Sequence, residues 1–506
     1  MRSFATALLL PLALASPLAK RSSNARLAPL REEGESIEDA YIVVLKKDIS
    51  PHIMALHLGS VEETNGLDPL LTFTADGERV DESGVTHVYM PSSDLTYFGY
   101  AGKFAPQTLD SIRASPEVAY VERDQRVYTQ DNFHGVDDAL ASDSHISTEL
   151  GAPWGLARIS HRAQLHLSTF TKYLYDDRGG EGVTAYVIDT GINVDHVEFE
   201  GRARWGKTIP KNDVDKDGNG HGTHCAGTIA SRKYGVAKAA EVVAVKVLGS
   251  NGSGSMSDVV AGVVWAAEQA AKADADAEKE LVKTGKTKHK GSVANMSLGG
   301  GKAQSLDDAV NAAVESGLHF AVAAGNDNKD ACNYSPARAG KAVTVGASTL
   351  GDDRAYFSNH GKCVDVFAPG LNILSTWNSG NQSTNTISGT SMASPHICGL
   401  LAYLLSIHGT ETFDLAEHRG ASAAAIESDA SVYARAYSLL PPMLRAILPA
   451  PGTLNFAPAP KHSDKVTPAQ LKKALLGLSS SGKLTDLPAG TPNLLAFNNA
   501  TSEKTK

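Results

Sequence analysis

The chain has 506 residues, 42% of them hydrophobic and 20% charged, with a formal net charge of −9. That length gives ample core material for about two to four globular domains. An acidic chain offers no basic field to neutralise phosphates, which excludes a nucleic-acid partner. Four cysteines are too few for a disulfide scaffold.

In chain order, Arg2 precedes an apolar run from Phe4 to Ala15 that ends in small residues. A basic start, a short apolar centre and a small-residue exit describe a secretory signal peptide over 1–16. The run is well short of the roughly 20 residues needed to cross a bilayer. No later segment is apolar enough to span one, so no membrane contact is expected after signal removal. Residues 17–39 are charged and aperiodic and are read as a disordered lead-in. The apolar run Tyr41-Ile42-Val43-Val44-Leu45 and the run Val118-Ala119-Tyr120-Val121 are strand-like, with Leu109 and Ile112 at helical spacing between them; they make residues 40–128 a small α+β domain. The polar stretch 129–150 reads as a linker.

From 151 to 407 short β-branched runs alternate with helical stretches. The strand-like runs are Val183–Ile188, Val242–Val247, Val293–Met296, Phe320–Ala323 and Ala342–Val345; Met256–Ala271 and Ser305–Ser316 have helical spacing. That alternation predicts an α/β fold, a mostly parallel sheet flanked by helices, with functional groups gathered at the carboxyl ends of the strands. Residues 408–506 form a C-terminal extension with an Ala/Pro-rich insertion over 410–461. Order is expected to return at Thr467-Pro468-Ala469-Gln470, which has cap, proline and glutamine in capping-box positions. Cys332 and Cys363 lie in polar, turn-rich contexts that suit a bridge in an oxidising lumen. Cys225 and Cys398, among small and apolar residues, read as buried free thiols.

Three segments carry chemistry. Asp189 ends the run Tyr186-Val187-Ile188-Asp189-Thr190-Gly191; His221 stands in Gly220-His221-Gly222-Thr223-His224-Cys225; Ser391 stands in Gly389-Thr390-Ser391-Met392-Ala393-Ser394 at the start of an apolar helix. A serine hydroxyl needs a base to take its proton. A histidine serves when an acid fixes its tautomer and stabilises the imidazolium. A helix amino end adds a favourable dipole and free N–H groups.

These segments, in the order Asp, His, Ser, resemble the three signatures of the subtilisin-like serine proteases. Their wording is most similar to the proteinase K group and, within it, to fungal vacuolar serine proteases of the cerevisin (protease B) type. APWGLARIS from Ala152, ANMSLGG from Ala294 and AVAAGNDN from Ala321 add to the match. The resemblance implies a subtilisin-like catalytic domain over 151–407 and an inhibitory propeptide over 40–128, removed by self-cleavage in the linker shortly before Gly151. It implies a serine endopeptidase working through an acyl-enzyme, with Asn326 donating to the oxyanion. Gly252, Ser253 and Gly254, with Ser297, Leu298 and Gly299, would be the two rails that pair with polypeptide substrates. Ala323, Ala324 and Gly325 would wall the specificity pocket. The uncharged walls favour cleavage after apolar residues with broad tolerance. The partners implied are substrates and the chain's own propeptide, and the enzyme is expected to be a monomer.

No cofactor is required for that chemistry. The resemblance also implies a structural calcium held by Asp365 and the carbonyls of Gly340 and Ala342, although the family's proline and valine of that site are replaced here, and a Cys332–Cys363 disulfide. Asp213-Val214-Asp215-Lys216-Asp217-Gly218 opens like an EF-hand loop, but His224 occupies the position where that loop needs a glutamate; the run reads as a solvated approach to His221. Of the sequons, Asn251, Asn381 and Asn499 are candidate glycosylation sites, whereas Asn295 lies in a buried strand. The leader assigns the chain to the secretory pathway, and the C-terminal extension favours the vacuole over the extracellular space. The competing reading is a catalytically inactive subtilisin fold that serves as a binding protein.

Overall fold

The computed structural model describes residues 27–67, 70–73, 79–81, 83–90, 95–130, 132–133, 146–415 and 465–500. The signal peptide and most of the Ala/Pro-rich insertion lie outside the described residues.

The amino-terminal domain is an antiparallel sheet backed by two helices. Ser36–Leu45 is flanked by Gly99–Lys103 and Val118–Thr129, and Gly84–Tyr89 follows Gly99–Lys103. The helices Pro51–Leu67 and Pro106–Arg113 cover one face, where Met54, Val61, Leu109 and Ile112 pack on Tyr41, Val43 and Val121. Part of the expected disordered lead-in is ordered here. Leu30–Arg31 pairs in parallel with Val121–Glu122, and the charges that suggested disorder have partners: Arg123 Nε lies 3.0 Å from Glu32 Oε1, and Tyr128 Oη donates to Glu35 Oε2 at 2.7 Å.

The larger domain is built on a nine-stranded sheet. Its order is Ala203–Thr208, Glu241–Lys246, Val183–Asp189, Gly291–Met296, His319–Ala323, Val343–Ser348, Val366–Pro369, Leu494–Leu495 and Ser480–Ser481, parallel except for the last pairing. The strands read as continuous apolar runs because both faces are covered. Val183, Ala185 and Val187 face Ile229, Ile397 and Leu400, whereas Tyr186 and Ile188 face Val259, Val263 and Val310. From the strand Val183–Asp189, third in that order, the chain adds strands first on one side, then on the other. The carboxyl end of that strand, occupied by Asp189, is therefore a topological switch point, where a crevice opens.

The last strands of the sheet come from the C-terminal extension, which is part of this domain. Its helix Pro468–Leu478 begins with a capping box between Thr467 and Gln470 and buries Leu471 and Leu475. The linker also contributes: Ile146–Leu150 pairs antiparallel with Lys172–Asp176. The structure closes a Cys332–Cys363 disulfide with Cα atoms 5.3 Å apart, and Cys225 and Cys398 are buried thiols outside any disulfide. Among the described residues no helix is long and apolar enough to cross a membrane.

Candidate active site

Asp189 is the last residue of its strand, and His221 is the first residue of the helix His221–Ala230. Both are fully buried. His221 Nδ1 lies 2.7 Å from Asp189 Oδ1, which also accepts from Thr190 N at 2.8 Å. Gly220, which precedes the histidine, has φ 111°, a left-handed value that a residue with a Cβ rarely adopts. A Cβ there would also lie 2.5 Å from the Trp377 ring.

Ser391 is the second residue of the helix Thr390–Ser406, all 17 residues of which are buried. Its hydroxyl donates to Ser297 O at 2.9 Å. Pro395, inside this helix, has no N–H to return to the carbonyl four residues earlier. That carbonyl is Ser391's own, and it accepts from Ser297 Oγ at 2.8 Å and Cys225 Sγ at 3.5 Å. The Cys225 thiol in turn lies within 4.8 Å of a His221 ring nitrogen and an Asp189 carboxylate oxygen. The three expected catalytic segments thus meet at the switch point. His224, on the same helix, donates from Nε2 to Ile373 O at 2.9 Å, and burial holds its pKa down to about 3, so it is a neutral structural imidazole.

Asn326 is oriented by Thr390, whose N–H and hydroxyl donate to its Oδ1 at 2.9 and 2.8 Å. Its Nδ2 is shut off from solvent and has no hydrogen-bond partner among the described residues. An amide donor in that state is costly unless something arrives to accept from it.

The segment that leads out of the amino-terminal domain runs through this crevice. Tyr128 pairs with Ser253 on one side and Gly299 on the other, Val127 with Gly254, and Thr129 with Leu298. Of the residues expected to be substrate rails, Ser253, Gly254, Leu298 and Gly299 are therefore paired with the chain's own Val118–Thr129 strand and Gly252 O accepts from Thr129 N, whereas Ser297 is engaged by Ser391. A Cβ built on Gly389 would lie 2.2 Å from Gln130 O and 3.2 Å from Asn326 Nδ2. The Gln130 carbonyl and the orphan amide thus flank one small space, which only a glycine leaves open. Beyond it, Asn132–Phe133 pairs antiparallel with Ser388 and Ile387. The carbonyl in the crevice belongs to Gln130, well upstream of the position just before Gly151 expected for the cut. Of the expected pocket walls, Ala323 ends its strand, Asn359 Nδ2 donates to Ala324 O at 2.8 Å, and Gly325 N donates to Thr390 Oγ1 at 3.1 Å.

Two buried carboxylates dock the amino-terminal domain on the larger one. Glu122 accepts from Gln304 N, at 2.9 Å, and from Ser305 N and Oγ at the start of the helix Gln304–Glu315. Asp124 accepts from Ser257 N, at 3.0 Å, and from Ser257 Oγ at the start of the helix Met256–Thr284. Carboxylates at helix amino ends satisfy donors that the helix leaves free.

Asp217 departs from its sequence reading. Asp215 is exposed, but Asp217 is only 2% exposed. It accepts from Thr190 Oγ1, Asn219 N and Gly220 N on one oxygen and from Thr223 N and Oγ1 on the other. It ties the residue after Asp189 to the residues around His221.

The calcium expectation meets an ammonium. Asp365 and the carbonyls of Gly340 and Ala342 do converge, but the Nζ of Lys472 stands among them. A divalent cation does not fit the same point. Among the candidate glycosylation sites, Asn251 and Asn381 are exposed, whereas the amide of Asn499 donates to Thr412 O at 2.8 Å. Asn295 is fully buried.

An acid–imidazole pair, a helix-borne serine and an orphan amide thus lie around a strand-paired segment of the chain itself. Residues 180–428 match the Subtilase family and residues 40–130 match Peptidase inhibitor I9. The chain is 50% identical over 508 residues to Subtilisin-like serine protease Pen ch 18 of Penicillium rubens, an alignment covering 98% of this chain and 88% of that protein. It is 50% identical to Subtilisin-like serine protease Pen c 2 of Penicillium citrinum (98% and 96% covered) and 47% identical to Alkaline protease 2 of Aspergillus fumigatus (98% and 89% covered). Among solved structures, a cold adapted subtilisin-like serine proteinase is 39% identical, with a TM-score of 0.50, covering 69% of this chain and 98% of that one. The chain belongs to the subtilase family of serine proteases and carries its I9 inhibitor domain.

Proposed function

We propose that the chain is the zymogen of a broad-specificity endopeptidase in which Ser391 attacks, His221 takes the serine proton and Asp189 orients the imidazole. The hydroxyl turns from Ser297 O toward His221 Nε2, and the proton it gives up is returned to the leaving amine. Asn326 Nδ2 and the Ser391 N–H receive the oxyanion. The single observation that carries this reading is the orphan Asn326 amide beside the Gln130 carbonyl.

On the same reading the first bond cut is Gln130–Asp131. The propeptide afterwards stays as an inhibitor, held by the paired Val118–Thr129 strand, Glu122 and Asp124. The uncharged walls around Leu298 and Ala323–Gly325 support an apolar preference with wide tolerance, and a glutamine before the self-cleaved bond is consistent with that tolerance. The signal-like leader supports entry to the secretory pathway, with the vacuole as destination, and a monomer.

Intact mass and amino-terminal sequencing test this. Wild-type material should carry a new amino terminus at Asp131, or a further trimmed one before Gly151, while Ser391→Ala should remain one uncut chain. Cleavage of the Ser391→Ala chain at Gln130, when it is expressed without other proteases, would overturn the proposal.

A further inference from the structure

In a polypeptide that binds a hard cation, carboxylate and carbonyl oxygens converge on one point. Three oxygens do so here: Asp365 Oδ2, Ala342 O and Gly340 O. The point they surround is occupied by Lys472 Nζ, at 2.8, 2.6 and 3.2 Å. Lys472 lies on the helix Pro468–Leu478 of the C-terminal extension, 107 residues from Asp365. The pair is largely shielded, with side chains 18% and 24% exposed.

We propose that Lys472 is a built-in cation that takes the place of a structural metal ion in this donor set. An ammonium is a compact point charge with three N–H donors, one for each of the three oxygens. Asp365 is held ready for it, since the same Oδ2 accepts from Thr344 N at 2.8 Å. A metal ion reaches such oxygens at about 2.3–2.6 Å and normally needs six to eight of them. With the ammonium in place there is no room for that ion.

The tether changes what the site depends on. A metal leaves when free metal is scarce, whereas an ammonium on a docked helix is always present at high effective concentration. The helix is anchored independently by buried Leu471 and Leu475 and by the pairing of Leu495 with Phe367. A cut within residues 416–464 would therefore leave the cation seated. The extension thereby stabilises the edge of the catalytic domain without a requirement for calcium at this point.

Thermal unfolding of the full chain carrying Ser391→Ala, to avoid self-digestion, tests this. With Lys472 intact, the contribution of Asp365 to the melting temperature should be the same in chelator and in millimolar calcium. Lys472→Ala should melt lower by about 2–4 °C for each kcal/mol lost. It should also acquire a calcium-dependent rise that disappears in Lys472→Ala combined with Asp365→Asn. Lys472→Arg, whose planar fork cannot converge from one point, should fall between. Should Lys472→Ala not accumulate as folded protein, calorimetric titration of the Lys472 chain decides: calcium uptake must be unchanged by Asp365→Asn. Calcium uptake that Asp365→Asn removes from the Lys472 chain, or a Lys472→Ala chain that melts like its parent and ignores calcium, would overturn the proposal.

Discussion

Asp217 offers the sharpest quantitative prediction, because one buried side chain holds both ends of the acid–imidazole pair. Its two oxygens take five donors at 2.5 to 3.0 Å, from Thr190, Asn219, Gly220 and Thr223. Hydrogen bonds to a charged group are worth about 1.5–3 kcal/mol each, and a donor left buried without a partner costs about 1–3 kcal/mol. These terms do not add, because the donors share one loop and relax together. Asp217→Ala should therefore cost about 3–5 kcal/mol, at the upper end of single substitutions. Asp217→Asn keeps one oxygen for Thr190, Asn219 and Gly220 but turns an NH2 toward the Thr223 donors, and should cost about 2–3 kcal/mol. The catalytic effect follows from geometry, since a displacement of about 1 Å in a reacting group costs about 10²-fold in rate. For Asp217→Asn, kcat on a chromogenic peptide should fall by that order while KM changes little, because Asp217 touches neither rail. A mutant with wild-type kcat and wild-type melting temperature would refute this account of the loop.

Two further predictions concern the oxyanion and the inhibitor. Asn326→Leu should lower kcat by about 10²–10³-fold with little change in KM, since its Nδ2 acts only once charge develops on the carbonyl; burst and steady-state kinetics on an ester and an amide substrate check it. His57 lies buried in the propeptide with Nε2 3.0 Å from Tyr100 Oη and Nδ1 3.7 Å from Glu117, and burial lowers its pKa below 6.5. A depressed folded-state pKa means that the imidazole's contribution is fully present above about pH 6.5 and is lost as pH falls toward the folded value, by at most about 1.4 kcal/mol per pH unit. Protection factors for hydrogen exchange of residues 40–128 in the Ser391→Ala chain, referred to the intrinsic exchange rate at each pH, should therefore fall with acid, and His57→Leu should flatten that dependence. An unchanged acid dependence in His57→Leu would contradict this.

The parts of the molecule that were legible in the sequence are those whose signal is local. The motifs around Asp189, His221 and Ser391 bring their own small neighbours and turns. The buried parallel strands read as apolar runs, and Thr467-Pro468-Ala469-Gln470 spells a helix start. The helix Pro51–Leu67 was not legible, because its buried positions Met54, His57, Val61 and Asn65 include two polar residues that break the apolar period. The lead-in looked disordered because its acids gain their partners, Arg123 and Tyr128, only after folding. Asp217 was masked by the solvated acids beside it, and nothing local distinguishes it. Lys472 carries no sequence signal at all, since its role exists only when a helix more than a hundred residues further along docks beside Asp365.

The central claim is that Ser391 is the nucleophile, activated by His221 and Asp189. A fluorophosphonate reacts covalently with a serine only where such activation exists. Peptide mapping of the processed enzyme after labelling should place the adduct on Ser391 alone, with His221→Ala abolishing it. Labelling at another residue, or undiminished labelling of the His221→Ala enzyme, would contradict the account.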